Sequence, residues 1–117
     1  MIALLINCSA QNLLEVNSLE ASALIDKNSK IILLDVRTEG EFSQGHIKGA
    51  VNINVHLPDA MARINKLDKN VQYLVYCRTR NRSGVVSGQM LKSGFKTVYQ
   101  MTDGIVGWTR NQLPLEK

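Results

Sequence analysis

Cysteine, histidine and proline are scarce in this sequence, with two of each among 117 residues, and aromatic residues make up only 5%. Two cysteines, Cys8 and Cys77, are too few for the disulfide framework of a small secreted domain, and neither belongs to a CxxC pair. His46 and His56 stand ten residues apart, without the helical spacing of metal ligands, so no metal site is expected. No apolar stretch approaches the roughly 20 residues of a membrane span, and nothing calls for a cofactor. What remains is ordinary: a hydrophobic fraction of 44% and a charged fraction of 21% are those of a globular chain. The length fits one domain with one core.

The net charge is +4, so the distribution of the basic residues decides what kind of partner it implies. Arg78, Arg80 and Arg82 fall within five positions, whereas Lys27, Lys30, Lys48, Arg63, Lys66 and Lys69 are scattered. There is no basic stripe interleaved with aromatics, which argues against nucleic acid. The local cluster points to a small anion. At the N-terminus, Met1 to Cys8 is apolar and short with no preceding Lys or Arg, so it fails as a secretory signal as written. Leu5-Ile6-Asn7-Cys8 loosely resembles a lipoprotein cleavage box. A cytoplasmic location is expected, with a periplasmic or lipid-anchored one as the alternative. Residues 1–12 read as an extension and residues 13–117 as a single domain.

Strand and helix signals alternate along that domain. Leu13 to Val16 is a short apolar strand, and Asn17-Ser18-Leu19-Glu20 has the form of a capping box opening a helix to about Lys27. Leu19, Ala23 and Leu24 are its expected inward face. Ile31 to Leu34 is a continuous apolar run ending at Asp35, the pattern of a strand covered on both faces. Val51 to Val55 alternates as a strand, and Pro58 opens a short helix covering Met61, Ile64 and Leu67. Val71 to Tyr76 is the strongest strand. A helix from about Arg82 to Lys92 ends near Gly94, a residue suited to the left-handed C-terminal position. Thr97 to Met101 is the last strand and Ile105 to Asn111 the last helix, anchored by Trp108. Strands separated by helices predict an α/β fold with a mainly parallel sheet.

Cys77 follows the strongest strand, and ligands of parallel sheets gather beyond the carboxyl ends of the strands. A loop there can turn successive amides toward one point, and the helix start adds partial positive charge. With Arg78, Arg80 and Arg82 nearby, these effects favour the thiolate of a residue type that ordinarily titrates near about 8.5. A buried structural cysteine is the alternative, but such a residue is rarely followed by Arg-Thr-Arg-Asn-Arg. The expected chemistry is thiolate attack on a sulfur, phosphorus or arsenic centre of an anionic substrate.

These residues resemble a known family. Asp35-Val36-Arg37, then Glu41-Phe42, then Gly45 to Asn52, look like the first rhodanese signature. Cys77 through Ser83 is similar to the active-site loop, and Asp103-Gly104 with Gly107-Trp108 to the closing motif. The resemblance implies a three-layer α/β/α fold with a five-stranded sheet. It implies transfer of sulfane sulfur from thiosulfate or a similar small anion to cyanide, a thiol or a sulfur-accepting protein, through a persulfide on Cys77. It assigns loop roles to Arg78, Thr79, Arg80, Asn81, Arg82 and Ser83: Arg82 closes the loop, while Arg78 and Arg80 attract the donor. Four residues separate Cys77 from Arg82, as in sulfurtransferases, whereas the related phosphatases and arsenate reductases have five. A persulfide carrier or regulatory module without turnover is the alternative. Arg80 stands where many relatives carry glycine, which implies a loop strained by a positive φ; Lys48 replaces a common proline.

The remaining singled-out residues have structural readings. Asp35 and Arg37 are expected to tie the strand end to Glu41. His46 reads as a hydrogen-bonded loop residue rather than a general base, and Trp108 as a packing anchor.

Overall fold

A computed structural model describes residues 10–117; Cys8 and the apolar stretch around it lie outside the described residues. Ten elements alternate along the chain: β1 (Asn12–Val16), α1 (Ser18–Lys27), β2 (Ile32–Asp35), α2 (Glu39–Gln44), β3 (Val51–Asn52), α3 (Ala60–Ile64), β4 (Gln72–Tyr76), α4 (Asn81–Lys92), β5 (Thr97–Met101) and α5 (Gly104–Arg110). The five strands form one parallel sheet in the order β1-β5-β4-β2-β3. β4 lies at its centre, and Tyr73 to Tyr76 are all fully buried, as a parallel strand covered on both faces requires.

Alternation along the strands divides the core in two. Leu34, Tyr73, Val75 and Val98 face Ala60 and Ile64 of α3, Val86 and Met90 of α4, and Phe95. Leu33, Leu74, Tyr76 and Met101 face Ala21 of α1 and Ile105 and Trp108 of α5. The layers are therefore helix, sheet, helix.

Strand order also fixes where a ligand would sit. From β1 to β2 to β3 the chain moves toward one edge, and from β3 to β4 to β5 it returns toward the other. Right-handed crossovers then place the helices of the two halves on opposite faces. The chain leaves β2 toward one edge and leaves the adjacent β4 toward the other. Their carboxyl ends flank a crevice, the position where parallel α/β folds bind ligands.

Three local expectations need correction. In α1 the buried residues are Ser18 and Ala21, with Leu24 and Ile25 partly buried, whereas Leu19 is 57% exposed and Ala23 is exposed. Asn17 is the N-cap and Ser18 the first helical residue, so the helix phase is set one residue earlier than a stripe drawn from Leu19. The expected strand Val51 to Val55 is ladder-paired only at Val51 and Asn52. Beyond Asn52 the chain turns over the end of β2, with Ile53 N–H donating to Asp35 O and Val55 N–H to Val36 O. Finally, α2 is an element the hydrophobic pattern did not suggest. Its signal is a second capping box: the Thr38 hydroxyl accepts from Glu41 N–H and the Glu41 carboxylate accepts from Thr38 N–H.

The α1 face can be read out directly. Ala21→Leu should overpack the contact beneath it and cost about 1–3 kcal/mol in urea unfolding, whereas Leu19→Gln should stay within about 0.5 kcal/mol of wild type. The reverse ranking would place the helix in the other phase.

Candidate active site

The chain leaves β4 at Tyr76 and bends at once. Cys77 C=O accepts from Ile105 N–H at 3.0 Å and Arg78 C=O from Val106 N–H at 3.1 Å. Those N–H groups belong to the first turn of α5, where a helix has no internal acceptors. The turn can approach this closely because residue 104 is glycine: it adopts φ +59°, and a Cβ there would overlap the Arg78 and Thr79 carbonyls. Gly104→Ala should therefore destabilise the fold by about 2–4 kcal/mol, seen as a lower denaturation midpoint; a neutral result would show that loop and helix can separate.

After the loop, α4 begins at Asn81, and its N-cap residue Arg80 makes no side-chain capping bond. The Cys77 sulfur takes that place. Ser83 N–H donates to Cys77 Sγ at 3.3 Å, and the Ser83 hydroxyl lies 3.4 Å from the same sulfur. Cys77 is only 1% exposed and packs among Val36, Ile53, Ala60 and Val86. A sulfur at a helix start sits in the positive end of the dipole. The expectation of several amides converging on this sulfur is corrected to one, that of Ser83. The amides of Arg78 through Arg82 have no hydrogen-bond partner among the described residues.

Two ion pairs hold the crevice walls. Asp35, fully buried at the end of β2, accepts from the Arg37 backbone N–H at 2.9 Å and from the guanidinium at 2.7 Å; the same guanidinium donates to Gly45 C=O at 2.8 Å. Burial works against the Arg37 charge, but the hydrogen bonds and charge of Asp35 prevail and raise its pKa above the ordinary value. Glu41 is not part of this pair, contrary to expectation. From α2 it meets Arg82 of α4 with two parallel bonds of 2.7 and 3.0 Å, the fork geometry of an arginine–carboxylate pair. Arg82 holds the Glu41 carboxyl down to about 2, and Glu41 in turn raises Arg82.

The other loop residues separate by direction. Arg78 is exposed and, with Arg37 and Glu41, lines a cleft of about 440 Å³. Asn81 and Arg82 border a second, mostly apolar cleft of about 520 Å³ with Val55, Leu57, Met61 and Val85. Thr79 is exposed at the loop tip. Arg80 turns away from the sulfur and pairs with Glu15 of β1 at 2.8 Å, so the expectation that it lends charge to the cup is corrected. His46 forms a two-residue bridge with Glu116 and stacks on Phe42 at 3.7 Å, a position that holds the C-terminal segment rather than the sulfur. Trp108 is buried and donates its indole N–H to Pro114 C=O.

The rhodanese-like domain family matches residues 18–111. The chain belongs to that family. A sulfurtransferase of Allochromatium vinosum is 29% identical over 101 residues, covering 86% of this chain and 92% of that protein. The putative sulfur carrier protein YrkF of Bacillus subtilis is 34% identical over 93 residues, covering 79% of this chain but 49% of its own length. A rhodanese-related protein from Thermoplasma volcanium superposes with a TM-score of 0.77 at 23% identity, over 88% of this chain and 97% of that one, and shows the same fold. The chain thus spans nearly all of one curated relative and about half of the other.

In this rhodanese-like domain the loop accommodates Arg80 without strain. Arg80 has φ −134° and ψ −10°, so no left-handed residue is needed and the expected strain is absent. Gln100 went unnoticed in the sequence: a polar residue in β5, only 5% exposed, whose amide reaches the loop. Its signal in the sequence is a glutamine between Tyr99 and Met101 near the end of a strand.

The Glu41–Arg82 pair has a pH signature. Folded Glu41 titrates near about 2 against 4.5 when unfolded, so the unfolded chain binds more protons between those values. The contribution is complete above about pH 4.5 and disappears as pH falls through 2. Allowing for the solvent exposure of the pair, Glu41→Gln should cost about 1 kcal/mol at pH 7. That gap to wild type should close by pH 2 in urea unfolding; a gap independent of pH would refute the assignment.

Proposed function

We propose that this domain transfers sulfane sulfur through a persulfide on Cys77, with thiosulfate or a similar small anion as donor and cyanide or a thiol, free or on a protein, as acceptor. The observation that carries this reading is the Cys77 sulfur capping α4 through Ser83, in a four-residue loop closed by Arg82 and Glu41. In the first half-reaction the thiolate attacks the outer sulfur of thiosulfate. The S–S bond breaks, its electron pair leaves with sulfite, and Cys77 holds the outer sulfur. In the second, the acceptor attacks that sulfur and the bonding pair returns to Cys77 as thiolate. No proton need move at the sulfur in either exchange, so no dedicated base is required.

The protein residues have distinct tasks. Ser83 N–H and the positive end of α4 offset the charge on the inner sulfur. The unpaired amides of Arg78 through Arg82 are donors for the outer sulfur and for the leaving sulfite. Arg78, lining the cleft beside Arg37 and Glu41, draws the donor anion in, and Arg82, fixed by Glu41, keeps the helix start in place. A second reading, persulfide carriage without rapid turnover, is supported by the likeness to a protein named as a sulfur carrier and by the near-complete burial of Cys77.

Thiosulfate treatment should add one sulfur to the intact mass, located on the Cys77 peptide, and cyanide should then remove it with release of thiocyanate. Cys77→Ala should show neither event while still folding cooperatively, at a cost of about 1–2 kcal/mol for the lost cap of α4. Sulfur uptake on Cys77→Ala would refute the nucleophile. A persulfide on wild type that forms but does not turn over would favour the carrier.

A further inference from the structure

Gln100 lies on β5, directly beneath the start of α4. Its amide nitrogen is 3.0 Å from Arg80 C=O and 3.4 Å from the Ser83 hydroxyl. A carbonyl oxygen can only accept, so the side chain must present its NH₂ end to the loop. Gly84 packs against the same amide, at 3.1 Å from where a Cβ would stand. The glutamine is therefore confined from the loop side as well as bonded to it.

Arg80 C=O has more donors than it can fully use. Gly84 N–H reaches it at 2.9 Å, Gln100 at 3.0 Å and the Ser83 hydroxyl at 3.3 Å. A carbonyl oxygen has two lone pairs, and the two nearer donors occupy them. Ser83 is then the surplus donor. Its oxygen is also 3.4 Å from Cys77 Sγ, so one rotation about its Cβ–Oγ bond moves the hydroxyl hydrogen from the carbonyl to the sulfur.

We infer that Gln100 is a positioning residue that releases the Ser83 hydroxyl to donate to Cys77 when the sulfur is anionic. With the thiol protonated, S–H donates to Ser83 Oγ and the hydroxyl donates to Arg80 C=O. With the thiolate or the persulfide, the hydroxyl turns to the sulfur, and Arg80 C=O keeps its Gln100 and Gly84 partners. No bond is made or broken and no proton changes owner in this rotation. Without Gln100, turning the hydroxyl would leave a part-buried carbonyl short of a donor, a loss that opposes the anionic state. Arg82 is the charged group acting on Cys77 from α4, with Asp35 of β2 facing the same guanidinium; neither contacts Gln100, so the relay is separable from them. The inference deepens the proposed role of Cys77 and rests, of that reading, on Cys77 acting as an anionic nucleophile.

The test uses the full chain, with iodoacetamide as probe and modification read at the Cys77 peptide by mass, which separates it from Cys8. Gln100→Met keeps length without donors, and Ser83→Ala removes the hydroxyl. Each should move the midpoint of the alkylation-rate profile to higher pH by roughly half a unit, about a threefold loss of thiolate below the midpoint. The double variant should move it no further than the larger single shift, because both act through one hydroxyl. A Gln100→Met profile superimposable on wild type, or shifts that add, would overturn the inference. Should Gln100→Met fail to fold, Gln100→Leu, neutral and without a donor, answers the same question, since it adds no charge beside the thiolate. Sulfur uptake from thiosulfate by wild type is measured in parallel. If it is absent while the shifts are present, the sulfur-transfer reading fails and the relay stands.

Discussion

The site depends on how unpaired backbone groups at the end of β4 are satisfied. A strand that leaves a parallel sheet carries carbonyls past the last rung of its ladder, and a helix that begins carries amides with no acceptor behind them. Here two helix starts and one strand end meet. The first turn of α5 takes the carbonyls of Cys77 and Arg78, and the first turn of α4 gives its Ser83 amide to the sulfur. The bend that brings the thiol to the crevice is therefore a consequence of pairing three sets of orphan groups. Gly104 is the geometric condition for it, since a side chain there would occupy the space of the loop carbonyls.

Charge is distributed around that bend in two different ways. Asp35–Arg37 is buried and hydrogen-bonded on several sides, reaching Gly45 C=O as well. A buried pair of this kind adds little net stability, but losing one partner strands the other. Its effect is to fix the end of β2 against the segment that follows α2. Glu41–Arg82 is more open, with side chains 31% and 23% exposed, and it spans from α2 to α4. These elements leave the switch point in opposite directions, so one bidentate contact ties together the two walls of the crevice.

Much of this was legible in the residues, and the exceptions have physical reasons. The capping box at Asn17 and Glu20, the strand Thr97–Met101 and the left-handed Gly94, with φ +98°, are all as expected. Each is specified within a few residues by hydrogen bonding or by backbone sterics. The phase of α1 was misjudged because Leu19 is the larger hydrophobe, whereas the contact surface accommodates Ser18 and Ala21. Helix α2 was missed because it is six residues long and buries none of them fully; only its capping box marks it. The directions of Arg80 and Glu41 were not readable, since an arginine's destination depends on which carboxylate the tertiary fold brings within reach. The partner of Gln100 was not readable for the same reason: its acceptor lies 20 residues away.

The charge balance of the loop bears on which anion it suits. Three arginines in five residues suggest a strongly positive cup, but Arg82 is paired with Glu41 and Arg80 with Glu15. Arg78 makes no ion pair among the described residues. The loop therefore presents roughly one uncompensated positive charge together with neutral backbone donors. A single thiolate at Cys77 asks for a few well-placed dipoles, and at the start of α4 it has the Ser83 amide and the helix itself. A dianion, whether a phosphoryl group or a small sulfur oxyanion, would meet the same single free guanidinium among the described residues together with the neutral loop amides, so the shape of the four-residue loop matters more than its charge.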